Sequence, residues 1–132
     1  MAIDMTSPTL AHPKVGSKLD RAIAGKAARL ADRKLLERWA RQVKDRDGWR
    51  DRKTGVTVHR TRQLDPCRAE AHHVVSKDDR AVRYDVRNGI CLSMQTHLEV
   101  SLGRYRIEGT VFFRKGGARY IDGTYPVLFV RT

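Results

Sequence analysis

Residues 69–102, AEAHHVVSKDDRAVRYDVRNGICLSMQTHLEVSL, hold three of the chain's five histidines and change their hydrophobic period twice. In AHHVV the β-branched Val74 and Val75 follow the pair His72-His73 and a polar SKDD ends the run, which predicts a short strand stopping near Ser76. Asn88-Gly89, a dipeptide tolerant of positive φ, opens a second run whose Ile90, Cys91 and Leu92 suit a half-buried strand. From Ser93 the spacing becomes helical. Ser93 can cap, Met94, His97, Leu98 and Ser101 fall on one face, and Gly103 stops the turn. The expected order is strand, loop of about ten residues, strand and short helix.

Successive side chains of a strand point to opposite faces, so only one of His72 and His73 can face the helix and meet His97. Two imidazoles converging from a strand and a packed helix suit a divalent cation. The remaining His, titrating near neutrality, suits proton transfer. Hydrolysis uses that division, with a cation polarising a phosphoryl oxygen and a base taking a proton from water.

The order His-His, Asn, His on strand, loop, strand and helix resembles the HNH endonuclease family with its ββα-metal fold, in particular the small phage and prophage type. The resemblance covers about a quarter of the chain closely. It implies an α+β fold: a ββα-metal core over 69–103, a basic helical segment before it and an antiparallel hairpin or small sheet after it. It also implies a divalent-metal-dependent endonuclease that hydrolyses DNA to a 5′-phosphate and a 3′-hydroxyl. Residue by residue, it makes His72 the first metal ligand, His73 the general base, Asn88 the residue that ties the loop and holds the base, and His97 the helix metal ligand. An arginine would offset charge on the phosphate, with Arg68, Arg83 and Arg87 as candidates. The cation would be Mg²⁺, Mn²⁺, Ni²⁺ or Zn²⁺.

The sequence departs from the family at two places. Many relatives carry two CxxC pairs that make a structural zinc knuckle, but the equivalent positions here are Asp51, Thr54, Ser93 and Thr96. A closed zinc site wants four Cys or His ligands, so no structural zinc is expected. The position one turn after the helix His, a third ligand in some relatives, is Ser101.

Outward from this stretch, 132 residues suffice for one domain, expected over 17–132 after a flexible arm at 1–16. Ser17 with Asp20 makes a capping-box-like start, and a helical segment, bent or in two pieces, is expected over 17–47. Its stripes are Leu19, Ile23, Ala27 and Leu30, then Ala31, Leu35, Trp39 and Val43. VTVHR reads as a short β run in which His59 lacks a ligand partner, and His12 sits in the arm. Trp39 and Trp49 read as core. Residues 104–132 alternate as two to four strands with turns at Glu108-Gly109, Gly116-Gly117 and Asp122-Gly123. There Tyr105, Ile107, Val111 and Phe113 would form an apolar face opposite Arg104, Arg106 and Arg114.

Twenty-seven Lys and Arg against fifteen Asp and Glu give a net charge of +12. Residues 1–68 hold seventeen of the basic and eight of the acidic residues, hence +9 of it. Such a balance favours a polyanion, DNA first, duplex or branched, with Arg33 and Arg41 of the helix among the phosphate contacts. An RNA substrate would use the same site. A DNA-binding module that kept the fold and lost the chemistry is the alternative from another class. No stretch is long or apolar enough to suggest a membrane span, and two cysteines without an apolar leader fit a reducing cytoplasm.

Overall fold

The computed structural model describes residues 17–113 and 119–132. The arm expected at 1–16, with His12, and the turn expected at Gly116-Gly117, with Arg114, lie outside them. The described chain is mixed α+β, with two α-helices and three two-stranded antiparallel sheets. It divides into two compact units, Met1–Lys34 and Leu35–Thr132.

Helix α1, Lys18–Arg46, is continuous across Gly25 and runs through that division. Ser17 Oγ accepts from the Asp20 amide at 3.0 Å, which caps its start. Gly48 at φ 66° and Trp49 at φ 55° take the chain out of it. Of the two expected stripes only Trp39 and Val43 are buried, while Leu19, Ile23, Leu30 and Leu35 are exposed. Its first half, in Met1–Lys34, is a surface helix. Its last turns belong to the core of Leu35–Thr132.

Strands β1, Ala69–His73, and β2, Gly89–Ser93, pair antiparallel, with His73 opposite Gly89 and Ala69 opposite Ser93. β1 stops two residues short of the expected strand because Val74 and Val75 bond to Asn88 instead, Val74 N to its backbone carbonyl and Val75 N to its side chain. The connection is correspondingly longer and contains a 3₁₀ turn, Val86–Asn88. β2 is buried along its whole length, not half-buried, since both faces are covered. Burying Ile90 and Leu92 completely stabilises the fold by about 1.5–3 kcal/mol each.

Gly89 has φ −137°, so the positive φ its neighbour Asn88 suggested is not used. Close approach explains it: a Cβ there would lie 2.5 Å from Val43 Cγ2 and 2.6 Å from Trp39 Cζ2. On the same sheet face Cys91, Ala69 and Val58 form a buried cluster against Trp49. VTVHR makes no strand but two isolated bridges, Arg50 to Thr57 and His59 to Arg68.

The opposite face takes helix α2, Met94–Ser101, capped by Ser93 Oγ accepting from Thr96 N. Three of the four positions of the zinc-knuckle pattern, Asp51, Ser93 and Thr96, meet here by their side chains without thiolates, and the fourth, Thr54, reaches Asp51 Oδ1 through its backbone N at 3.4 Å. Asp51, 1% exposed, accepts from Ser93 Oγ at 2.7 Å, Thr96 Oγ1 at 2.5 Å and Lys53 N at 2.7 Å. Burial works against its charge, but the bonds from Thr96, Ser93 and Lys53 outweigh it and hold the carboxyl below its ordinary range. One carboxylate and three hydroxyls, with the carboxylate committed to these donors, do not fit a structural zinc.

The chain ends in nested ribbons: β3, Tyr105–Gly109, pairs with β6, Val127–Arg131, and β4, Val111–Phe113, pairs with β5, Arg119–Ile121. The alternation shifts phase across Gly109 and Thr110. Phe112 stacks on the buried Tyr120 at 5.4 Å, while Phe113, expected on the apolar face, is 68% exposed. The Asp122-Gly123 turn docks on the motif through Gly123 N, which donates to the Arg87 carbonyl at 2.6 Å.

Candidate active site

Strand alternation sends His72 and His73 to opposite faces, and each meets an aromatic ring. His72 faces α2, where its ring lies edge-on to His97 with centroids 5.0 Å apart. Two imidazoles on one ion, each nitrogen about 2.0–2.1 Å from it, would have centroids roughly 4.5–5.2 Å apart at ordinary ligand angles. The observed spacing falls in that range. His97 Nδ1 lies 2.9 Å from Glu70 Oε1. A carboxylate oxygen accepts, so Nδ1 is the donor and Nε2 is the ring nitrogen that Glu70 does not engage. Burial first, then the charges of His97 and His73, push His72 down to about 4, so it is neutral near pH 7.

Among the described residues no group of three or more His, Cys, Asp or Glu is placed to hold a metal. His72 and His97 stand as a pair, without a third such side chain grouped with them among the described residues. Ser101 is exposed at the end of α2.

His73 faces α1. Its ring stacks on Trp39 with centroids 3.8 Å apart and planes 7° apart, and its Nε2 lies 3.0 Å from the Arg83 carbonyl. A carbonyl can only accept, so Nε2 bears the proton and Nδ1 is the basic nitrogen. Burial lowers the His73 pKa more than that hydrogen bond raises it, and Arg83, Lys77 and His97 add to the lowering.

Asn88 is fully buried and ties the long loop from both ends. Its Oδ1 accepts from Val75 N at 2.7 Å, and its Nδ2 donates to the carbonyls of Val75 at 3.1 Å and Val82 at 3.2 Å. Arg46 reinforces the same segment by donating to the Val86 and Gly89 carbonyls, each at 2.6 Å.

The three candidate phosphate arginines have different surroundings. Arg68 is paired with Glu70 at 2.9 Å, so one carboxylate serves both Arg68 and His97. Arg87 is paired with Asp85 at 2.7 Å and lies over the Phe112 ring. Arg83 donates to the Lys77 carbonyl at 3.2 Å and lies over Tyr84. Arg33 and Arg41 are exposed on α1. His59 is exposed and 3.1 Å from Asp65.

Sequence reasoning missed Glu70, Arg46 and the contact made by Trp39. Glu70 was within reach, because it stands two residues before His72 and so shares its strand face. Nothing local in the sequence announces that Trp39, 34 positions earlier, would meet His73. Comparison of the chain with family models, curated proteins and solved structures finds no match.

Proposed function

We propose that the chain is an HNH-type endonuclease with a ββα-metal core over 69–103, hydrolysing DNA phosphodiester bonds with the aid of one divalent cation. The observation that supports this best is the division of the histidine pair. His72 and His97 face each other at 5.0 Å on one side of β1, and His73 is pinned through Nε2 on the other.

A cation held by His72 and His97 would polarise a phosphoryl oxygen and stabilise the leaving oxygen, as Mg²⁺, Mn²⁺, Ni²⁺ or Zn²⁺ can. The protein's own part starts at His73 Nδ1, which takes a proton from water as the water oxygen bonds to phosphorus. The bond to the 3′ oxygen breaks, that oxygen gains a proton, and the products carry a 5′-phosphate and a 3′-hydroxyl. Asn88 keeps the loop that supplies the Arg83 carbonyl in place, and Glu70 holds the His97 tautomer that leaves Nε2 open.

A plasmid-nicking assay over a panel of divalent ions tests the proposal. Cleavage should appear with at least one ion and fall about 10²–10⁴-fold in His73→Ala. Undiminished cleavage in that variant removes the base.

A DNA-binding module without chemistry is the second reading, favoured by a histidine pair with no third such side chain grouped to hold a metal among the described residues. Mn²⁺ or Zn²⁺ titration separates the two. The nuclease reading requires one site that the His72→Ala/His97→Ala double variant abolishes.

A further inference from the structure

The Trp39–His73 stack has supports on three sides. The indole Nε1 donates to the Asp85 carbonyl at 2.9 Å, and the imidazole Nε2 donates to the Arg83 carbonyl at 3.0 Å. Both rings are thus pinned by carbonyls two residues apart on one loop, which Asn88 ties down through the Val82 carbonyl. The third support is a vacancy in side-chain volume. Gly89 is the strand partner of His73, and a Cβ on it would lie 2.6 Å from Trp39 Cζ2 and 3.1 Å from Trp39 Cε2. Only a residue without Cβ lets the indole lie at this depth over the β1–β2 pair. A Trp that merely filled the core would need none of this registry; flat stacking at 3.8 Å with both N–H groups engaged fixes the imidazole plane.

We propose that Trp39 is the positioning residue of the candidate site: its indole holds the His73 ring in the plane where Nε2 donates to the Arg83 carbonyl and Nδ1 is left as the proton-accepting nitrogen. The catalytic consequence rests on the nuclease reading, while the ring geometry does not. Trp39 acts through His73 and touches no substrate. Among the described residues Arg83, Lys77 and His97 are the charged and titratable groups that act on that ring, and Trp39 adds orientation to them without adding charge.

Imidazole N–H protons exposed to water exchange too fast to be seen, so a resolved His73 Nε2–H signal in metal-free, ¹⁵N-labelled protein reports a ring held against its carbonyl. The wild type should show that signal, with His73 ring protons shifted upfield by the indole. Trp39→Leu, which keeps apolar volume but loses the stack, should lose both, and Trp39→Phe, which keeps an aromatic face, should recover the signal. Gly89→Ala should displace the indole and reproduce the loss with Trp39 still present. In plasmid nicking, Trp39→Leu should lower kcat about 10–100-fold at unchanged KM, and Trp39→Phe should restore most of it.

A persistent Nε2–H signal with wild-type kcat in Trp39→Leu overturns the proposal. So does a wild type whose His73 protons show no ring-current shift, a result that needs no variant to fold. If the wild type cleaves no DNA with any ion, the nuclease reading fails and the resonance measurements still decide the role of Trp39.

Discussion

His72 shows how one residue links the site to the stability of the fold. Its folded pKa of about 4 lies below the ordinary 6.5, so between those values the unfolded chain binds a proton that the folded chain does not. Stability therefore rises with pH across this window. The His72 contribution is whole above pH 6.5, shrinks as the pH falls, and is gone near pH 4. Urea unfolding of metal-free protein at pH 7 and pH 4.5 should show a loss on acidification that is smaller, by an order of 2 kcal/mol, in His72→Gln. Equal losses in the two proteins would mean that the imidazole is not desolvated as its packing against His97 requires. The same neutral form is the one that binds a cation, so a site titrated with Mn²⁺ at pH 7 needs no deprotonation of His72.

At the scale of elements, the carboxylate of Asp51 joins the turn after α1 to the junction of β2 and α2. Its pKa is held below the ordinary 3.8, so its contribution to stability is whole above about pH 4 and is lost as the pH falls further. Asp51→Ala leaves Ser93 and Thr96 with buried hydroxyls and no common acceptor. It should cost about 3 kcal/mol or more in chemical denaturation. A cost under about 0.5 kcal/mol would show the knot to be incidental. Periodicity made β1, β2 and α2 legible, together with both caps and the end of α2, because each depends on residues within a turn or a strand. The end of β1 was not legible, since Asn88 captures Val74 and Val75 from thirteen or more residues away. Nor was the use of Gly89: the dipeptide suggested a turn, but Val43 and Trp39 impose the glycine from α1. Phe113 left the expected apolar face, and Phe112 packs on Tyr120, because Gly109 and Thr110 interrupt the alternation that each strand follows by itself.

The whole molecule is strongly basic, and no helix among its described residues is long and apolar enough to cross a membrane. Within Met1–Lys34, α1 presents Lys26, Arg29 and Arg33 around one shallow groove beside Leu30, spaced so that they lie along one side of the helix. Lys26, Arg29 and Arg33 are exposed on the helix, where a phosphate can reach them, whereas Arg68 and Arg87 are each held by a carboxylate. If DNA is the partner, each phosphate that such a residue neutralises adds about 0.9 to the slope of log affinity against log salt. The triple variant Lys26→Gln/Arg29→Gln/Arg33→Gln should therefore bind a duplex more weakly and lower that slope by up to about 3, measured by fluorescence anisotropy in EDTA from roughly 50 to 200 mM salt. The loss should be the same for unrelated duplex sequences, because phosphate contacts hold the backbone and do not read bases. Far-UV circular dichroism should change little, since none of the three side chains is buried. An unchanged slope with weaker binding would take phosphate contacts away from this helix. An unchanged affinity as well would remove the first half of α1 from the DNA interface and leave Arg41 as the exposed candidate on its second half.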